Sequence, residues 1–147
     1  MNSHRQSLYH IVFCTKDHTP CLTEQNREQL FRYIWGIIKN KNCKLYRING
    51  VEDHIHILSD LHPSINLADY IKDIKVGSSV WIKKKEIFEN FKGWAGGYGA
   101  FTYATRDRDK VIEYIKNQVE HHKRTSFLEE YIALLKEFEI AFDRRYI

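Results

Sequence analysis

Residues 43–61, CKLYRINGVEDHIHILSDL, decide how the rest of the chain is read. Cys43 to Gly50 and His54 to Leu61 are two strand-like runs, and Glu52 and Asp53 between them mark a short turn, so the stretch reads as a hairpin. Working outward, Ser7 to Thr15 carries Tyr9, Ile11 and Phe13 on one face and reads as an earlier strand. Pro20 closes a turn after it. Thr23 then caps a helix to about Lys41 whose Leu30, Ile34, Ile37 and Ile38 form an apolar stripe. Beyond the hairpin, Ser64 is the expected cap of a second helix with Leu67, Ile71 and Ile74 facing inward. Phe101 to Thr105 offers a fourth strand, and a third helix begins near Asp107. Ser126 with Glu129 forms a capping box for a last helix, whose Leu128, Ile132, Leu135 and Phe138 suit packing. The order βαββαβ followed by extra C-terminal helices is α+β and matches a ferredoxin-like (RRM-like) antiparallel sheet. In that plan the third strand lies centrally, beside the first.

The 147 residues suit a single domain over 1–147 with a proper core. A net charge of +4 is consistent with an anionic partner without requiring one, since a solvated lysine-rich surface gives the same balance. Cys14, Cys21 and Cys43 are odd in number and make no C-x-x-C pair. That argues against a disulfide framework or a zinc knuckle and suits a reducing compartment. The polar start of the chain and the lack of a long apolar run predict a soluble, cytoplasmic protein with no membrane partner. Gly93, Gly96, Gly97 and Gly99 match no phosphate-loop spacing and are read as a turn with a close backbone approach.

Chemistry concentrates in two motifs. In a strand, His54 and His56 share one face while Ile55 points to the other. In a helix, Tyr114 and Gln118 lie one turn apart on a common face, beside a core stripe of Val111, Ile115 and Val119. Surface or satisfied core histidines and ordinary packing of a tyrosine are the bland readings, and neither motif is rare at this composition. Together the two motifs offer two imidazoles and an amide oxygen for a divalent ion such as Mg2+ or Mn2+, with a phenol close by as a nucleophile. His121 and His122 read as an exposed helical pair. Glu52 and Asp53 either orient an imidazole or simply make the turn.

These residues, in this order, resemble the small single-tyrosine transposases of bacterial insertion sequences, the IS200-like family of the HUH class (histidine, hydrophobic residue, histidine). The resemblance spans nearly the whole chain. It rests on Asp53 to Leu58, Ser78 to Lys83, Gly97 to Phe101 and Tyr114 to His122. It implies that His54, His56 and Gln118 are metal ligands and that Tyr114 is the nucleophile of DNA strand transfer. Tyr114 would attack single-stranded DNA through a 5′-phosphotyrosine link and release a 3′-hydroxyl, which can later attack that link. It also implies recognition of hairpins near element ends and a two-fold homodimer in which Tyr114 and His54 can act from different chains. Lys72, Lys75, Lys83, Lys84, Lys85, Arg106, Arg108, Lys123 and Arg124 are the candidate DNA contacts, with Trp81 and Trp94 as stacking surfaces. For each of these the ordinary reading is a solvated helix face or a core aromatic.

Four other readings compete. Relaxases and replication initiators of the HUH class are typically larger and often carry a third histidine or a second tyrosine. A domesticated transposase of repeated extragenic palindromes is closer and differs in genomic setting. Two-histidine phosphoesterases need two H-x-[ST] motifs, which His18-Thr19-Pro20 and His54-Ile55-His56 do not supply. From a different class, a non-catalytic RNA-binding ferredoxin-like module needs exposed aromatics on its central strands.

Overall fold

A computed structural model describes residues 3–147. Strands β1 (Leu8–Cys14), β2 (Leu45–Gly50), β3 (His54–Asp60) and β4 (Gly99–Tyr103) form one antiparallel sheet in the order β2-β3-β1-β4. The ferredoxin-like plan therefore holds, with β3 and β1 in the centre. Helix α1 (Glu24–Asn40) joins β1 to β2 and α2 (Leu67–Lys85) joins β3 to β4. Three further helices follow: α3 (Arg108–Lys116), α4 (Gln118–His121) and α5 (Phe127–Glu137).

Strand alternation divides the sheet into two faces. Ile11, Phe13, Ile55 and Ile57 point toward α1 and α2 and meet Leu30, Ile34 and Ile38 of the first helix and Tyr70, Ile71 and Ile74 of the second. Full burial of each such isoleucine or leucine stabilises the fold by about 1.5–3 kcal/mol. The opposite face carries Leu8, Val12, Cys14, Leu58 and Phe101. It is covered by Val111 and Ile115 of α3 and by Phe127, Leu134 and Leu135 of α5. Antiparallel sheets often leave one face to solvent; here both are closed. The exposed aromatics that an RNA-binding module needs on its central strands are not presented here: the face turned away from α1 and α2 is covered by α3 and α5, and Phe13 and Tyr9 pack on the α1–α2 side.

Several local expectations shift. The α2 cap is Asn66, whose side chain accepts from the Asp69 amide, rather than Ser64; the latter bonds to His62 instead. Thr23 occupies the α1 cap position without a side-chain cap bond. The expected third helix is broken at Asn117 into α3 and α4. The side-chain amide of Asn49, on β2, donates to the carbonyls of Ile115 and Lys116 and so satisfies the end of α3. The break rotates the residues that follow, so that Gln118 turns fully inward and Val119 becomes exposed, opposite to the expected stripe. The capping box at Ser126 and Glu129 forms as expected. However, α5 buries Phe127, Glu130, Leu134 and Leu135, while Leu128 and Ile132 are only half-buried.

The glycine cluster is a structural turn. Gly93 and Gly97 have φ of 114° and 82°, a region open to glycine. Gly99 lies beneath Tyr131, where an added Cβ would sit 2.6 Å from Cε1 of that ring. Gly99→Ala is expected to destabilise the protein by about 1–3 kcal/mol through this overpacking, read as a lower urea midpoint with an unchanged slope. Cys14, Cys21 and Cys43 are buried free thiols. Burial, with Asp53 adding to it, pushes the Cys14 thiol up to about 11.

Candidate active site

The site lies between the sheet and the C-terminal helices. Because His54 and His56 alternate with Ile55, both imidazoles leave β3 on the α3–α5 face, opposite Cys14 and Val12 of β1. Both are fully buried. Each ring is held at its Nδ1. His54 Nδ1 donates to Asp53 Oδ1 at 2.7 Å, so this turn residue does orient an imidazole, whereas Glu52 is exposed. His56 Nδ1 meets Nε2 of buried His10, from β1, at 2.7 Å. Fixing the far nitrogen of an imidazole aims the near one and sets its tautomer.

The near nitrogens converge on Glu130 of α5. Its Oε1 lies 2.9 Å from His56 Nε2, 3.2 Å from His54 Nε2 and 3.0 Å from His122 Nε2. Its Oε2 accepts from Gln118 Nε2 at 2.9 Å and from the Tyr114 hydroxyl. Gln118 Oε1 stands 3.3 Å from His54 Nε2. Thus the four residues singled out from sequence, His54, His56, Tyr114 and Gln118, come together within one chain around a carboxylate that the sequence reading did not select. The expected exposed pair of histidines is also corrected. His122 turns into the cluster, its Nδ1 donating to the Thr125 carbonyl at 2.6 Å, and His121 Nε2 lies 3.3 Å from Glu130 Oε2.

Burial works against the Glu130 charge, but hydrogen bonds from His122, His54 and His56 outweigh it and hold the carboxyl far below its usual range. His56 is pushed down to about 4, chiefly by burial, with Glu130 opposing. Burial also disfavours the His54 cation, but hydrogen bonds to Asp53 and Glu130 leave it raised. Burial followed by the Glu130 charge raises the Tyr114 phenol well above its usual value. Tyr114 in this arrangement is a protonated phenol. Positive charge placed beside Glu130 would relieve the part of that shift that the carboxylate causes.

Tyr114 remains partly accessible and lines an open groove of about 660 Å3 with Thr102, Tyr103, Arg106 and Lys110. Of the basic candidates, only Arg106 lines this groove; Lys110, which lines it too, was not among them. Lys72, Lys83, Lys84 and Lys85 are exposed on α2, across the sheet, and Arg124 is exposed after α4. Lys123 pairs with Glu120 at 2.8 Å, and the Arg108 guanidinium lies over the Tyr46 ring at 5.5 Å. Lys75 is drawn into the fold, its Nζ donating to the Ala95 and Gly97 carbonyls, so it braces the glycine turn. Trp94 packs edge-on against Phe13 and Phe91 and donates to Ser78, which makes it a core residue rather than a stacking surface. Trp81 stacks on Tyr33.

Among the described residues no helix is long and apolar enough to cross a membrane. The sequence profile of the family described as "Transposase IS200 like" matches residues 3–118. The transposase for insertion sequence element IS200 of Salmonella typhimurium is 26% identical over 120 residues, covering 78% of each chain. The ISDra2 transposase TnpA of Deinococcus radiodurans is 22% identical over 115 residues, covering 75% of this chain and 82% of that protein. Two solved structures share the fold. One is a crystal structure of a Deinococcus radiodurans chain described as a transposase, with a TM-score of 0.62, 21% identity, and 80% of this chain and 98% of that one covered. The other is a REP-associated tyrosine transposase bound to a REP hairpin, with a TM-score of 0.58, 17% identity, and 82% and 74% covered.

Proposed function

The chain belongs to the IS200-like transposase family, and from that premise we propose that residues 1–147 act as one catalytic domain that cleaves and rejoins single-stranded DNA through Tyr114. The observation that carries the proposal is the meeting of the Tyr114 hydroxyl, Gln118 and the His54–His56 pair around Glu130 in a single chain.

The donor set suits a divalent ion. Two imidazoles with anchored Nδ1 atoms, an amide and a carboxylate are aimed at one point, which is how a ligand shell is braced. His54, His56 and Gln118 would hold the ion, Mg2+ or Mn2+. When bound, it supplies polarisation of the scissile phosphate and neutralises charge that builds on it in the transition state. The chain supplies the rest. The Tyr114 oxygen attacks phosphorus, the bond from phosphorus to the departing 3′-oxygen breaks, and that oxygen leaves as a 3′-hydroxyl after taking a proton. The phenolic proton has an acceptor already in contact, Glu130 Oε2. The 5′-phosphotyrosine keeps the energy of the original phosphodiester, so attack by a 3′-hydroxyl rejoins strands without ATP.

Arg106 and Lys110 beside Tyr114 are placed to hold the backbone of the strand in the groove. Recognition of a DNA hairpin near the element ends is part of the proposal and is supported by the fold shared with a transposase bound to one. A two-fold dimer is retained from the family resemblance. The approach of Tyr114 and Gln118 to the histidines of their own chain supports a site assembled within one subunit.

The test is a covalent assay. The protein is incubated with Mg2+ or Mn2+ and single-stranded DNA from the flanking element ends, and the products are run under denaturing conditions. A protein–DNA adduct joined to the 5′-phosphate of the fragment on the 3′ side of the cut, with a free 3′-hydroxyl on the other fragment, is the expected result. Cleavage with no adduct would overturn the tyrosine mechanism.

A further inference from the structure

His122 and Glu130 lie beyond residue 118, where the family match ends, yet they close the cluster around His54 and His56. His54, His56, His122 and Glu130 each place a ligand atom within 4.8 Å of all the others.

The hydrogen positions make this grouping informative. His54 Nδ1 faces an Asp53 carboxylate oxygen and His122 Nδ1 faces the Thr125 carbonyl, so both must carry their proton on Nδ1. In the neutral rings both Nε2 atoms are then bare lone pairs. Both point at Glu130 Oε1, itself a lone-pair acceptor, at 3.2 and 3.0 Å. Gln118 adds a third conflict, because its Oε1 faces His54 Nε2 at 3.3 Å. Turning the amide over only moves the opposition to Glu130 Oε2, which now accepts from its NH2 group.

The His54 and His122 rings stand 4.4 Å apart on this single carboxylate, and one divalent cation among the lone pairs satisfies all of them together. The spacing suits it: ligands about 2.0–2.1 Å from a metal stand about 2.8–3.4 Å apart in octahedral or tetrahedral shells, and the three nitrogen–oxygen distances to Oε1 are 2.9, 3.0 and 3.2 Å. His56 can join as a ligand, since His10 is placed to accept its Nδ1 proton.

We propose that the DNA-free protein holds a transition-metal dication on His54, His56, His122 and Glu130, with Glu130 bridging this ion through Oε1 to the Tyr114 hydroxyl through Oε2. A set of three imidazoles and one carboxylate selects Mn2+, Co2+ or Zn2+ over the harder Mg2+. The inference rests on the metal-dependent reading of His54 and His56 and extends it to two residues outside the matched segment.

The experiment titrates chelator-stripped protein, without DNA, with Co2+, following its visible d–d absorption and the heat of binding. One Co2+ per chain is expected, resistant to a large excess of Mg2+. Glu130→Gln and His122→Gln are each expected to weaken it at least about ten-fold. Thermal melts of the stripped variants check folding. His122 lies at the edge of the site, so its variant decides the matter if Glu130→Gln does not fold. Wild-type affinity in His122→Gln, or in folded Glu130→Gln, with binding lost in His54→Ala, would overturn the added ligands and leave the parent reading intact. Co2+ binding unaffected by His54→Ala, together with DNA cleavage in excess chelator, would overturn both.

Discussion

Tyr114→Phe is expected to abolish the covalent protein–DNA adduct and all strand cleavage while leaving hairpin binding within about two-fold of wild type. The change removes one oxygen from a side chain that lines an open groove, so packing against the sheet is retained. Removing the nucleophile of a covalent mechanism lowers turnover by on the order of 10⁴-fold or more, because the remaining groups have nothing to deliver to the phosphorus. The same substitution also frees Glu130 Oε2 of one donor, leaving Gln118 Nε2. A small loss of stability, about 0.5–1.5 kcal/mol, is therefore expected beside the kinetic effect. Denaturing gels read the adduct and fluorescence anisotropy with a labelled hairpin reads binding. An adduct in the variant at wild-type yield would remove Tyr114 from the mechanism.

His54→Ala is expected to lower metal-dependent cleavage by on the order of 10³-fold, since an ion positioned at a scissile phosphate supplies several kcal/mol of transition-state stabilisation. His54 is the better test of the pair. Its Nδ1 partner, Asp53, is partly exposed and is rehydrated when the ring is removed. His56 instead has its Nδ1 against fully enclosed His10, which would be left without a partner. Cleavage is measured across Mg2+ and Mn2+ concentrations, with hairpin binding as the control. Undiminished cleavage in His54→Ala at limiting metal would remove this imidazole from the ligand set.

The sheet was legible because its signals are local. Alternation through Tyr9, Ile11 and Phe13, the turn at Glu52 and Asp53, and the stripe of Leu30, Ile34 and Ile38 each specify one element and one face. The histidine pair was visible for the same reason. The break at Asn117 was not. It depends on Asn49, 66 residues away from Ile115, reaching across from β2 to take the carbonyls of the helix end, and no local pattern announces such a partner. Glu130 was passed over because a charged residue on a helix is ordinarily read as its solvated side. The signal was nonetheless present: the capping box at Ser126 fixes where α5 begins, and Phe127, Glu130 and Leu134 then fall at i, i+3 and i+7 on its buried face. A carboxylate in that row needs a partner. His122 was hidden in a different way, because its direction follows from the turn between α4 and α5 rather than from either helix.

The closing of the second sheet face by α5 changes what counts as the enzyme when the chain is divided. Cut back to the family-matching residues 3–118, it would still spell out both histidines, the tyrosine and the glutamine. Such a fragment would nevertheless lay Val12, Cys14 and Phe101 open to water, and its histidines would lose the carboxylate they now surround. Chimeras between relatives should therefore exchange the sheet and the last helix together, as one inherited unit.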